Sequence, residues 1–457
     1  MPQKSSKPGK TSSKDTSSRA VKKTSISQQS RRKEVQTRQR QKQTGSTTDE
    51  SQDENQIDIA DTIPLKLQQL LLNVFKAALL PNRREKAAKD QESKSESEPD
   101  PTEEEPLDIK TLIQTMKSHL YNRDFDSAFA DADERLLRAY ALRWSATRAL
   151  GYAGLLKSIM RILTRDQGVD LKHVVCIGGG AGAEIVALAA VWRNLIEEEM
   201  GEKEKDLSGA LDAVTLEETD IRDQETNKDS NDVPETPRSS QDYPDLSITA
   251  VDIADWSTVM DRLASTMKSP TVSGTKSCPA PLLSLPARQN GDGIDTATDE
   301  SKFEVNFQRL DVLSLPDLSL SSLLHSPRTQ SPTSLVTLMF TLNELFSTSM
   351  SKATAFLLRT TDLLQPGTIL LVVDSPGSYS TLKLGKGGES GSVQERQYPM
   401  KFLLDHTLLS VAKGKWERIY SQDSRWWRRD AARLWYDVGE GAGLEDMRFQ
   451  IHVYRRV

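Results

Sequence analysis

The segment His173-Val174-Val175-Cys176-Ile177-Gly178-Gly179-Gly180-Ala181-Gly182-Ala183-Glu184 runs an apolar stretch into a glycine turn and then into a helix. Small residues at such a turn let the backbone approach a ligand closely, and the helix N-terminus beyond it offers free amides. That chemistry suits a nucleotide-type cofactor at the carboxyl edge of a sheet. Two patterns fit. Gly178, Gly180 and Ala183 match the G-x-G-x-x-A loop of dinucleotide enzymes, and Gly178, Gly180 and Gly182 match the G-x-G-x-G loop of S-adenosylmethionine enzymes. Glu184, in the first turn of the helix, is counted with the loop. The next strand candidate, Leu246–Asp252, ends in a carboxylate that can accept from both ribose hydroxyls. Asp252 lies 70 residues beyond Gly182, and the polar stretch 197–245 accounts for most of that distance. Asp255 is the more natural cap for the helix that follows, which leaves Asp252 for a ligand. A third strand ends at Arg309-Leu310-Asp311-Val312-Leu313. There Asp311 can accept from an adenine amino group while Val312 and Leu313 pack on the ring.

These side chains need elements to hold them. His173–Ile177, Leu246–Asp252, Phe303–Leu310, Leu335–Met339 and Thr368–Val373 read as strands. Helical stretches lie between them, from Ala183 to about Leu195, over Trp256–Met267, and over Ser351–Leu364 before Pro366-Gly367. The alternation predicts an α/β fold with a parallel, doubly wound sheet over residues 166–457. Met447–Val457 alternates as a last strand. Residues 107–165 form a helical extension. Residues 62–81 read as an amphipathic helix, with Leu67, Leu70, Leu71, Val74, Phe75 and Ala78 at three- and four-residue spacing. Pro64 suits its first turn and Pro81 stops it. Such a helix is expected to dock on the core or on a partner. The stretches 197–245, 268–302 and 380–397 read as polar inserts, 82–106 as an acidic linker, and 1–61 as a disordered basic tail.

Composition agrees with that division. Of 457 residues, 36% are hydrophobic and 28% charged, where typical globular usage is about 45–50% apolar with glycine included. Two cysteines, Cys176 and Cys278, build neither a disulfide framework nor a C-x-x-C zinc site, so a reducing compartment is expected. The five histidines are scattered without metal spacing, and no metal is expected. No stretch approaches the roughly 18 apolar residues of a membrane span, and the N-terminus lacks the apolar core of a signal peptide. The net charge of −6 hides an asymmetry: residues 1–43 hold 13 Lys/Arg against Asp15 and Glu34. A basic arm on an acidic body suggests contact with a polyanion, and a nuclear or nucleolar location with a cytoplasmic pool still compatible. A monomer is the default.

With these residues together, the chain resembles the fungal class I methyltransferases that act on uridine N3 of large-subunit (25S) ribosomal RNA. The matching stretches are Arg143–Tyr152, Cys176–Glu184, Ala250–Trp256, Thr337–Phe346, Asp374–Tyr379 and Leu444–Arg456. The resemblance covers most of 62–80 and 107–457, but not the inserts or the basic tail. The resemblance implies a Rossmann-like seven-stranded sheet, S-adenosylmethionine as cofactor, and a ribosomal RNA uridine as substrate, in naked RNA or in a pre-ribosomal particle. Cys176 departs from the general methyltransferase pattern. Many such enzymes carry an acid there, two residues before the first glycine, and the difference touches the binding of the methionine amino group.

Methylation is an in-line displacement in which positioning does most of the work. Uridine N3 carries a proton at neutral pH, so a base, or a group that stabilises the deprotonated ring, is needed. The target is the Watson–Crick edge, so the base must be unpaired or flipped out. Asn343 and Glu344 follow the strand Leu335–Met339, and Asp374 ends the next one. Asn343 can hydrogen-bond a uracil carbonyl, Glu344 or Asp374 can act as base, and Tyr379 can stack on the ring. Arg425-Trp426-Trp427-Arg428-Arg429 mixes cations and aromatics, and Arg425, Trp426 and Arg428 suit RNA contacts. Two other functions fit parts of the pattern: an NAD-dependent oxidoreductase, and a non-catalytic ribosome-assembly factor that retains the fold. An aromatic block followed by a final strand fits the added antiparallel hairpin of methyltransferases and argues against the first.

Overall fold

Five short apolar runs form the parallel part of one sheet: β1 (His173–Ile177), β2 (Leu246–Asp252), β3 (Phe303–Arg309), β4 (Leu335–Met339) and β5 (Ile369–Asp374). β1, β4 and β5 are buried along their whole length, as strands covered on both faces must be. The computed structural model describes residues 62–80, 107–166, 172–217, 245–283, 303–327, 330–377, 379–384 and 394–457. The expected tail 1–61, the linker 82–106 and the middle of each insert lie outside the described residues.

The strand order is β3-β2-β1-β4-β5-β9-β8. The last two strands, β8 (Trp416–Trp427) and β9 (Met447–Arg456), are antiparallel to their neighbours and close the sheet as a hairpin. A second, two-stranded ribbon pairs β6 (Tyr379–Leu384) with β7 (Gln394–Pro399). The main sheet is the seven-stranded Rossmann-like α/β sheet expected. Its order reverses between β1 and β4, the crevice where such sheets bind ligands. Register sets the functional edge: Ile177 pairs with Val251 and Leu338, and Asp374 with Gln450. The carboxyl ends of β1, β2, β4 and β5 therefore lie along one rim.

Alternate strand residues feed two cores. Val174, Cys176 and Ala250 join one, beneath the N-terminal helices, and Val175, Ile177 and Val251 join the other. The first core is covered by α1 (Leu65–Leu79), α2 (Ile109–Tyr121), α3 (Glu134–Tyr140), α4 (Ala146–Asp166), α5 (Ala183–Glu217) and α6 (Ser257–Met267). The second lies under α7 (Asp317–Leu323), α8 (Leu342–Thr348), α9 (Met350–Leu363) and α10 (Met400–Asp405). α1 buries eight residues, among them Leu71, Val74 and Phe75, so this helix docks on the core of its own chain. α3 runs into α4 through a widened π turn, Ala141–Ser145, a local irregularity that often marks functional sites.

Three stretches expected as irregular inserts are partly ordered elements. The helix expected to stop near Leu195 continues to Glu217. Apolar periodicity ends there, but Glu and Lys are good helix formers. Arg193 pairs with Glu197 one turn on, and Lys157 and Arg161 of α4 both bind Glu198 at 2.8 Å. Within 268–302, residues up to Leu283 pack inward, with Val272, Cys278 and Leu282 buried. Arg193 donates to the carbonyls of Pro279 and Pro281, and Asn73 of α1 donates to that of Ser273. The stretch 380–397 supplies the β6–β7 ribbon, in which Ser380 pairs with Tyr398.

Candidate active site

The glycine turn after β1 is shaped by its neighbours. Gly178 and Gly182 adopt φ of 76° and 81°, a region that side chains with a Cβ rarely enter. A Cβ on Gly178 would overlap Thr341, and one on Gly180 would overlap Trp256 and Asp252. The Gly178 N–H donates to the Val251 carbonyl at 2.7 Å, and the Gly180 N–H to Asp252 Oδ2 at 3.2 Å. Asp252 Oδ1 accepts from the Ala254 N–H at 3.1 Å. Each oxygen thus accepts from the backbone, and the Trp256 side chain and the Ile253 N–H stabilise the charged form further. Burial pushes the Asp252 carboxyl up to about 6, against those stabilising bonds. Asp255 accepts from the Ser257 N–H and hydroxyl just ahead of α6, but the capping position itself is Trp256, one residue later than expected.

Glu184 is 3% exposed. Its Oε1 has no hydrogen-bond partner among the described residues. Burial raises its carboxyl to about 8, and the nearby Asp252 charge adds to the shift. It stands beside the buried Cys176 thiol, which burial and Glu184 together push upward.

Across the crevice, Asp374 ends β5. Its Oδ2 accepts from the Asn343 N–H at 3.0 Å and its Oδ1 from the Ser375 N–H at 2.7 Å, so it caps α8 from the neighbouring strand. Burial holds it at about 6. Glu344, one turn into α8 and half-buried, is raised to about 8 by burial, then by the charges of Asp374 and Asp252. The Asn343 Oδ1 is buried with no partner among the described residues. Phe340, between β4 and α8, takes φ of 60°, an uncommon conformation for an aromatic residue and one that clusters at functional sites.

One cation stands among these carboxyls. The Arg148 guanidinium lies 4.6 Å from the centre of the Phe340 ring, and its Nη1 donates to Tyr140 Oη at 2.7 Å. Its charge holds down the carboxyls of Glu184, Glu344 and Asp374 against burial. Tyr140 is fixed in turn by the rings of Phe129, Trp144 and Trp256, at 4.8–5.7 Å. The sequence singles out the stretch Arg143–Tyr152 but gives Arg148 no role. A cation spaced for one helix carries no sign that elements far along the chain bring three acids to it.

Among the described residues, no group of three His, Cys, Asp or Glu side chains is placed to hold a metal ion, and no helix is long and apolar enough to cross a membrane. Residues 86–455 match the model of a protein family described as "Putative SAM-dependent methyltransferase". The chain belongs to this family. It is an S-adenosylmethionine-dependent methyltransferase, and the dinucleotide reading of the glycine pattern falls away. The methyltransferase is 30% identical over 350 residues to a Saccharomyces cerevisiae protein named 25S rRNA (uridine(2843)-N(3))-methyltransferase, over 75% of this chain and 76% of that one. Among solved structures it resembles an S-adenosylmethionine-dependent methyltransferase from Methanosarcina mazei, at 8% identity and a TM-score of 0.28, covering 63% of this chain and 93% of that one. Another, from Clostridium acetobutylicum, matches at 7% identity and a TM-score of 0.27, over 75% of this chain and 99% of that one.

The methyltransferase's crevice fits such a cofactor on its own geometry. The glycine turn adds no side chain to the carboxyl edge of the sheet, Asp252 stands there as an acceptor for ribose hydroxyls, and the unpartnered Glu184 oxygen suits an ammonium group. The expected adenine contact is less open. Asp311 is exposed at the end of β3, but it accepts from the Leu313 N–H at 3.0 Å and the Ser314 hydroxyl at 2.6 Å. That turn buries Val312 and Leu313 in the second core, so neither is left standing free beside β3 for a ring. Tyr379 opens β6; its side chain lies outside the described residues. Arg425 and Trp426 lie among the last three residues of β8, and Arg428 follows it.

Proposed function

We propose that this methyltransferase modifies N3 of a uridine in large-subunit ribosomal RNA during ribosome biogenesis. The observation that carries the reading is the Glu344–Asp374 pair beside the glycine turn, two carboxyls held at about 8 and about 6. A methyl acceptor that bears a proton needs a base whose affinity for protons lies near the working pH. Glu344 meets that requirement, and it opens onto the same crevice as the cofactor residues. The likeness to the yeast 25S rRNA enzyme supplies the substrate class.

S-adenosylmethionine, held by Gly178, Gly180, Gly182, Glu184 and Asp252, supplies an electrophilic methyl group on its sulfonium. Glu344 takes the N3 proton. Arg148, with Tyr140 and Phe340 fixing its plane, offsets the negative charge that spreads onto the uracil carbonyls as that proton leaves. Asn343 gives the ring a hydrogen-bonding amide, and Asp374 holds Asn343 in place through its backbone N–H. Tyr379 offers a stacking face. Arg425, Trp426 and Arg428 contact the RNA. The basic segment 1–43 suits a nuclear or nucleolar pre-ribosomal particle, with a cytoplasmic pool compatible, and a monomer suffices for every role named here.

The test is nucleoside mass spectrometry of large-subunit ribosomal RNA from cells lacking the protein. Wild type restores N3-methyluridine; Asp252→Ala and Glu344→Gln do not. N3-methyluridine unchanged in the null cells overturns the substrate. Restoration by both variants removes Asp252 and Glu344 from the roles named here.

A further inference from the structure

A cleft of about 730 Å³ opens where the start of α1, the middle of α4 and the end of β8 meet. That volume suits a nucleotide-sized ligand. Its walls carry four cations, Lys157, Arg425, Arg428 and Arg433, against two carboxylates, Glu198 and Asp430. Lys157 is spent on Glu198 at 2.8 Å, and Arg433 on Asp430. Arg425 is half-buried and has no carboxylate partner among the described residues. Trp426 is 48% exposed at the same wall. The Arg428 guanidinium lies over its ring at 4.3 Å and is held there by Asp446. Such an arrangement presents an aromatic ring, a flat cation beside it and a spare positive charge together.

The cleft is tied to the active site by β9. Phe449 lines the cleft and pairs with Arg425 in register. The next residue, Gln450, pairs with Asp374 and donates from Nε2 to the Ser375 carbonyl at 2.8 Å. Arg425 therefore stands two strands from Asp374, roughly 10 Å at the usual strand spacing. On the opposite wall, Gly151 of α4 lies three residues beyond Arg148.

We infer that this cleft holds a nucleotide of the same RNA strand as the target, a few positions away, with its base stacked on Trp426 and its phosphate against Arg425. The inference rests on the RNA reading above and names a second contact for it. Exposing the Watson–Crick edge of a uridine costs the stacking of its neighbours, and a cation–aromatic platform replaces that stacking without regard to sequence. The spare positive charge of Arg425 favours an anionic ligand over an apolar or basic peptide, and the exposed Trp426 ring beside it suits a base carried next to a phosphate.

The test uses the full chain, a fluorescein-labelled single-stranded 12-mer RNA rich in uridine, and a hairpin of the same composition. Trp426→Ala is expected to weaken binding of the single strand by about 5- to 100-fold, while Trp426→Phe, which keeps a stacking face, retains most of it. Arg425→Gln is expected to lower the slope of log affinity against log salt by about one. Both variants should bind S-adenosylhomocysteine as wild type does, which shows that they are folded. Wild-type RNA affinity and salt slope in both variants overturn the proposal and leave the cleft to a protein partner. Equal losses on single strand and hairpin also overturn it, because an unstacked base is what the platform takes. A loss confined to the single strand, in a protein whose absence leaves N3-methyluridine unchanged, keeps the cleft and discards the proposed target atom.

Discussion

Glu184, Glu344 and Asp374 share the charge of one guanidinium, Asp252 acts on the two glutamates, and all four are held above their ordinary carboxyl values by burial. Their protons leave in steps that belong to the group, but the two candidate bases separate on the pH axis. A base works only when deprotonated. With Glu344 as base, kcat/KM should be half-maximal near pH 8; with Asp374, near pH 6. Single-turnover rates on RNA from pH 5.5 to 9 decide between them, and Glu344→Gln should lower the plateau by about 10²- to 10⁴-fold. Glu184 has a different task. Cys176 stands where many methyltransferases carry an acid, and the unpartnered Glu184 oxygen lies next to it. A cation arriving there would draw the proton off Glu184. Glu184→Gln should therefore weaken S-adenosylhomocysteine, which bears the ammonium, by about 10-fold or more, and leave 5′-methylthioadenosine, which lacks it, nearly unchanged. Calorimetry with the two ligands reads this directly; equal losses for both would assign Glu184 to holding the glycine turn instead. Asp252, Glu344 and Asp374 are legible in the sequence because an apolar run stops at or just before an acid. Arg148 is not, because its meaning comes from strands separated from it by whole elements.

At the scale of elements, the strands and the glycine turn are legible because each is a short apolar run ended by glycine or an acid. The far half of α5 and the packed loop 268–283 are not. A charged helix and a polar loop look alike in composition, and only partners elsewhere, Lys157 with Glu198 or Arg193 with the Pro279 carbonyl, distinguish them. The amphipathic stretch at 62–81 leaves its own destination open, and its geometry closes the question. Phe75 is fully buried in the first core, α1 packs against α4, α5 and α6, and Gln69 exchanges two hydrogen bonds with the Trp435 backbone. A helix used that way cannot lift off to bind RNA without opening the first core. Phe75→Ala should cost about 3–5 kcal/mol, seen as a lower urea midpoint for the whole cooperative transition. A separate early transition for this helix, with the sheet unaffected, would show instead that it docks weakly and is free to serve a partner.

For the molecule as a whole, the crowding of acids has a price that cofactor binding must offset. A carboxyl whose folded-state value exceeds its unfolded value holds more protons folded than unfolded. Its contribution to stability is full below the unfolded value and is lost as pH rises through the folded one. Glu184 and Glu344 lie at about 8 against an ordinary 4.5. Between pH 7 and 9 they are the groups that matter: Asp252 and Asp374, at about 6, have already ionised. His173 and His452, whose values burial lowers, are neutral throughout that range. Cys176 is pushed the other way and stays a thiol. The cofactor-free chain should therefore lose thermal stability as pH rises through 7 to about 8 and level off toward 9, and Glu344→Gln should flatten that decline by removing one of the two groups. Adding S-adenosylhomocysteine should flatten it further, since an ammonium beside Glu184 favours the ionised form that the empty crevice penalises. Thermal melts across this range, with and without ligand, test all three. A melting temperature that rises from pH 7 to 9 in the empty protein would mean that Arg148 already keeps both glutamates ionised, and Glu344 would then have no proton affinity to spend on uridine near neutral pH.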